Sequence, residues 1–91
     1  MVLTGKTLDE ILNYLDRSVE KLAQDTMETP EFQMDNQTLE QFLSSQYDVR
    51  LENLLEAKNS NIHHLESGMK NKIIQRKQKQ IHVIMKKFQV K

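Results

Sequence analysis

The sequence predicts an all-α fold of three to four helices, arranged as a helical hairpin or a small bundle. Its apolar residues are mostly Leu, Ile, Val and Met, and they recur at spacings of three and four, which gathers them on one face of a helix. Outside the short run 81–85, no segment has the alternating pattern of a β-strand. A chain of 91 residues suits one domain with a modest core.

Charge divides this single domain, residues 1–91, into an acidic part and a basic part. Residues 1–56 carry four Lys or Arg and twelve Asp or Glu, a formal charge of 4 − 12 = −8. Residues 57–91 carry nine and one, which is 9 − 1 = +8. This division predicts either complementary packing between the two parts or a basic segment that meets an anionic partner.

The first helix is predicted over residues 7 to about 25. Thr7 and Glu10 have the spacing of a capping box, in which the hydroxyl and the carboxylate each accept a hydrogen bond from an unpaired backbone N–H. Thr29 precedes Pro30 and is pushed out of the helical conformation, so residues 26–36 form a loop. The expected buried stripe is Leu8, Ile11, Leu12, Leu15, Val19 and Leu22.

The loop and the second helix follow. Phe32 and Met34 are apolar residues within the loop, which indicates that it lies over the core. Asn36 or Thr38 is the expected N-cap of a second helix that begins near residue 37. Its apolar stripe changes phase in the forties, which predicts a bend at Ser44-Ser45-Gln46.

The third helix is predicted to extend to about residues 67–73, because the apolar stripe keeps its phase across Asn59-Ser60-Asn61. After Ile73 the stripe rotates again. Gly68 is the expected break, since glycine favours the left-handed conformation that ends helices. A long, basic amphipathic C-terminal helix, reaching about residue 89, completes the predicted fold.

Residue types exclude most catalytic chemistry. The chain has no Cys, and its two glycines, Gly5 and Gly68, cannot form a glycine-rich phosphate-binding loop. His63 and His64 are adjacent, so on a helix they point about 100° apart, and only Glu66 shares a face with His63. We therefore expect no enzymatic activity, no metal, no cofactor and no small-molecule substrate.

Location is predicted from what the sequence lacks. No stretch approaches the roughly 18 consecutive apolar residues of a membrane span. Residues 1–5 are too short for a signal peptide. Together with the lack of Cys, this predicts an intracellular protein, either cytoplasmic or nuclear.

The most specific pattern is the C-terminal segment, whose cations and apolar residues fall on opposite sides of one helix. Such a helix packs into a core, binds a partner's acidic groove, follows a phosphate backbone or lies on an anionic membrane. The excess of Lys over Arg disfavours reading of bases, and the scarcity of aromatics disfavours a membrane or a single strand. The predicted binding cations are Lys72, Arg76, Lys79, Lys86 and Lys87, and the predicted association surface is Ile74, Ile81, Ile84, Met85 and Phe88.

These features predict a non-enzymatic helical module for protein–protein interaction, such as an adaptor, a regulator or an assembly subunit. It would associate with a protein partner or with a second copy through surplus apolar helix surface, while the basic face steers the encounter with an acidic surface. The alternative is a DNA- or RNA-associated regulatory or accessory protein that places the same cations on phosphates. A steep salt dependence of binding would identify that alternative.

Three short segments of common helix-forming residues are Pro30-Glu31-Phe32, Leu39-Glu40-Gln41-Phe42-Leu43 and Glu56-Ala57-Lys58-Asn59-Ser60-Asn61-Ile62. Together they resemble the helical N-terminal region of transposition-helper and helicase-loader ATPases. The ATPase module that defines those families is not in this sequence, so no family is assigned on this ground.

Overall fold

A computed structural model of the chain describes residues 3–29, 31 and 34–88. All three pairs of α-helices are in contact, and the molecule measures 44 × 21 × 18 Å. The all-α prediction is confirmed, with three helices in the described ranges. They are α1 over Gly5–Glu28, α2 over Asn36–Ala57 and α3 over Ser67–Lys87, with a short 3₁₀ helix at Ile62–His64 before α3.

The helices run up, down and up, so that α1 and α3 are parallel. Lys72, near the start of α3, forms an ion pair with Asp9, near the start of α1. Lys87, at the end of α3, pairs with Glu20 in the second half of α1. The connections before α2 and before α3 are short, which is typical of antiparallel neighbours in a bundle.

All three helices contribute to one hydrophobic core. In α1 the predicted stripe is confirmed from Leu8 to Val19, while Leu22 is only half-buried and Ala23 and Thr26 extend the buried face. Each fully buried Leu contributes about 1.5–3 kcal/mol relative to an exposed one. The other buried helical residues are Leu39, Leu43, Tyr47, Leu51 and Leu55 in α2 and Ile73, Ile81 and Ile84 in α3.

The N-terminus of α1 lies earlier than predicted. Thr4 is the N-cap, because its Oγ1 accepts a hydrogen bond from the backbone N–H of Thr7 at 3.1 Å. The predicted capping box of Thr7 and Glu10 is therefore wrong. Leu3, which precedes the cap, and Leu8 are both buried in the core, as in a hydrophobic staple, and this fixes the earlier start.

The second helix is continuous through the predicted bend at Ser44-Ser45-Gln46. Its buried residues are spaced by four from Leu39 to Leu55, and each step of four rotates the stripe by about 40° around the helix. The change of phase that predicted a bend is thus the gradual rotation of the buried stripe around a continuous helix. Tyr47, which the sequence analysis left out of the stripe, connects its two halves. The N-cap is Asp35, whose Oδ1 accepts from the Thr38 N–H at 2.7 Å.

The chain reverses at the residues that were predicted to continue the third helix. Asn59 has a left-handed φ of 56°. The Ser60 N–H donates to the Leu55 carbonyl at 2.8 Å, and the Asn59 N–H donates to the Glu56 carbonyl at 2.9 Å. These two bonds are the Schellman motif, which ends α2 at Ala57. The prediction of one helix across residues 59–61 is therefore wrong.

Two further predictions concern loops and breaks. Gly68 is the second residue of α3, so the predicted break at this position is wrong, because the chain has already turned at Asn59. Met34 is partly buried against the core, as predicted for the first loop. Phe32 and residue 89 lie outside the described residues.

Candidate functional site

The five cations predicted to bind a partner form two groups on α3. Three of them face α1 and are held in ion pairs by its acidic side chains. Lys79 and Lys86 are exposed, and the side chain of neither has an ion pair or a hydrogen bond to any other described residue. The three pairs are Lys72 with Asp9, Arg76 Nη2 with Asp16 Oδ2 at 2.8 Å, and Lys87 Nζ with Glu20 Oε1 at 2.6 Å.

Helix geometry places the two unpaired lysines together. Lys79 and Lys86 are seven residues apart, so they lie on the same side of α3 about two turns from one another. Val83 lies between them, four residues after the first and three before the second, and its side chain is 46% exposed. We call Lys79, Val83 and Lys86 the outer patch of α3.

The apolar residues predicted to form an association surface are divided between the core and the surface. Ile81 and Ile84 are buried, at 8% and 0% exposure, so the assignment of these two side chains to a free surface is corrected. Met85 and Phe88 are partly buried against the core. Only Ile74, at 52%, presents a large exposed area among these five. The apolar face of α3 that was predicted to contact a partner thus packs mainly against the other two helices.

A polar layer crosses the middle of the bundle, and the sequence analysis did not predict it. Arg50 of α2 donates to the hydroxyl of Ser18 in α1. Gln80 of α3 donates to the Asp16 carbonyl at 3.1 Å. Lys77 Nζ lies 2.8 Å from Asp48 Oδ1 and so joins α3 to α2. Together with the Arg76–Asp16 pair, these contacts connect all three helices, and we call them the central polar layer.

Tyr47 is the most buried member of this region. Its side chain is fully buried, and burial, with a smaller contribution from the Asp16 carboxylate, raises the pKa of Tyr47 to about 12. Its hydroxyl, Asp16 Oδ1 and Arg50 Nε are buried without a hydrogen-bond partner among the described residues. Arg76 holds the Asp16 carboxylate in an ion pair, so this layer links α1 and α3 through charged groups.

An acidic cleft lies at the end of α2, where the chain turns toward α3. Glu52 and Glu56 are one turn apart on α2 and both are exposed. Neither carboxylate is in an ion pair or a side-chain hydrogen bond within the part of the chain described. The cleft has a volume of about 150 Å³ and is lined by Glu52, Leu55, Glu56, Asn61, Ile62 and His63. We call it the α2 cleft.

Across residues 3–29, 31 and 34–88, no group of three or more His, Asp or Glu is placed to hold a metal ion. His63 and His64 are exposed in the short 3₁₀ helix. None of the described helices is both long enough and apolar enough to span a membrane.

No known protein family, curated protein or solved structure matches this chain. The charges, exposure and packing of its own residues are therefore the basis for a functional hypothesis.

Proposed function

We propose that this protein is a non-enzymatic helical interaction module that binds an acidic protein surface through the outer patch of α3. One observation supports this most directly. α3 contains seven Lys or Arg and no Asp or Glu, and two of these cations, Lys79 and Lys86, stay exposed and unpaired within the described residues. Cations that the fold does not use are available to a partner.

The apolar part of the contact is Val83. Protein interfaces place apolar area at the centre and charged groups at the rim, and Val83 lies between the two lysines in that way. Ile74 does not extend the patch, because nine residues separate it from Val83 and this spacing places the two on opposite sides of the helix. In this proposal α3 is the basic amphipathic helix: its apolar face packs in the core, and its exposed lysines meet the partner.

A protein partner is favoured over nucleic acid by the neighbours of the patch. Asp9, Asp16 and Glu20 of α1 lie beside α3, where they pair with its other cations. A phosphate backbone following α3 would meet these carboxylates. The separate carboxylates of a protein partner can reach Lys79 and Lys86 without approaching the carboxylates of α1. In this proposal the protein acts as an adaptor, a regulator or an assembly subunit in the cytoplasm or the nucleus.

The test compares two anionic probes, a labelled polyglutamate peptide and a labelled DNA duplex, by fluorescence anisotropy at low and high salt. The Lys79→Gln/Lys86→Gln variant should bind the peptide about 3–10-fold more weakly, since each exposed charge contact contributes little by itself. Lys6→Gln/Lys21→Gln removes the same charge from two exposed lysines of α1 and is the matched control.

Two outcomes would contradict the proposal. One is equal peptide binding by the patch variant and the wild-type chain. The other is binding of the duplex alone, with log K falling linearly with log salt and a slope that decreases in the patch variant, which would establish the nucleic-acid alternative.

A further inference from the structure

We infer that the acidic surface met by the outer patch is the α2 cleft of a second copy of this chain. This inference rests on the proposed function and specifies its partner. It follows from three features of the described residues: the side chains that line the cleft, its distance from the patch within one molecule, and the opposite charges of α2 and α3.

The residues that line the cleft suit a lysine side chain. Lysine has a flexible apolar stem and a compact ammonium group, so it buries the stem on apolar surface and keeps the head among polar groups. Ile62, which is partly buried, provides apolar surface in the cleft. Glu52 and Glu56 provide two neighbouring carboxylates whose charge the fold does not neutralise by an ion pair within the described ranges.

One molecule cannot bring its own patch to its own cleft. The cleft lies where α2 ends and α3 is about to begin, whereas Lys79 is twelve residues beyond Ser67, the first residue of α3. At a rise of 1.5 Å per residue, this places Lys79 about 18 Å along the helix, and Lys86 farther still. A lysine of the outer patch that enters the cleft therefore comes from another molecule.

Two copies also have complementary charge. The chain has a formal net charge of zero at pH 7, so two copies do not repel one another as a whole. α2 carries four acidic residues and the single cation Arg50, whereas all the Lys, Arg, Asp or Glu residues of α3 are Lys or Arg. Faces of opposite sign orient the encounter and define the contact, while exposed ion pairs give modest affinity. A weak, salt-sensitive self-association is expected.

The experiment is a charge exchange between the two surfaces, followed by sedimentation velocity from micromolar to millimolar protein at low and high salt. Lys79→Glu/Lys86→Glu and Glu52→Lys/Glu56→Lys should each weaken self-association by about tenfold or more, because like charges then face one another. An equimolar mixture of the two variants should associate again, because each supplies the charge that the other has reversed.

Lys6→Glu/Lys21→Glu, on α1, is the matched control and should associate like the wild-type chain. Circular dichroism and urea unfolding of each variant show that the helices remain folded, and recovery in the mixture cannot come from an unfolded chain. A wild-type chain that stays monomeric at millimolar concentration in low salt would overturn the inference, as would association that persists in both variants or a mixture that stays monomeric. Polyglutamate binding by a monomeric wild-type chain would leave the proposed function standing and remove only the second copy as its partner.

Discussion

Arg76 is predicted to stabilise the bundle and not to serve a partner, and its replacement tests this directly. Its Nε donates to Asp16 Oδ2 at 2.8 Å, and its Nη2 also contacts Asn13. The Arg76 and Asp16 side chains are 31% and 19% exposed, so water screens this pair only in part. Arg76→Gln removes the cation and leaves the Asp16 carboxylate in its partly buried position.

The expected loss can be derived from these contacts. Unit charges 2.8 Å apart attract by about 6 kcal/mol at an effective dielectric constant of 20. The cost of removing both groups from water offsets most of this attraction. What remains is the cost of a partly buried carboxylate without its cation, about 2 kcal/mol. That is a large part of the roughly 5–14 kcal/mol expected for a chain of this length.

Urea unfolding followed by circular dichroism measures the loss, with Lys87→Gln as the matched control. The Lys87 and Glu20 side chains are 60% and 39% exposed, so breaking that pair should cost about 0.5 kcal/mol or less. The effect of Arg76→Gln should also persist in high salt, since partly buried pairs are screened less than exposed ones. Equal losses in the two variants would refute the structural role of Arg76.

Three other predictions concern the core and a cap. Leu15 is fully buried, so Leu15→Ala should cost about 2–5 kcal/mol in urea unfolding, and a loss below about 0.5 kcal/mol would mean that α1 does not pack as described. Tyr47→Phe removes a buried hydroxyl without a partner among the described residues, so it should be neutral or stabilising by about 1 kcal/mol at pH 7. The pKa of Tyr47 is raised to about 12 in the folded chain, so above pH 10 the unfolded chain loses the phenol proton while the folded chain keeps it. The wild-type chain therefore loses stability as pH rises from 10 toward 12, and Tyr47→Phe should gain further on it over that range. The hydrogen bond from the backbone N–H of Thr38 lowers the pKa of Asp35 below its usual 3.8. The ionised Asp35 cap therefore stabilises the fold fully above pH 3.8, and this stabilisation is lost as pH falls through the lowered pKa. Asp35→Asn, which caps without titrating, should therefore overtake the wild-type chain in acid, while Asp35→Ala should be less stable at pH 7.

Local features explain which parts of the fold could be predicted from the sequence. The stripe of α1 was identified because its spacing of three and four is a property of the helix itself. The ends were less predictable, since Thr4 and Thr7 are both good caps and only the burial of Leu3 selects the first. At Asn59 the apolar phase continued through a turn, and the loop-like composition was the better indicator.

The candidate surface shows the same difference at longer range. Composition and local periodicity are enough to predict that the chain is helical and that its charge is divided between an acidic and a basic part. Which cations form ion pairs within the fold depends on how the helices pack. Arg76 finds Asp16 across 60 residues, whereas Lys79 remains free of any partner among the described residues. Such pairing depends on how parallel helices are rotated against one another, and that rotation is set by the packing of the whole core.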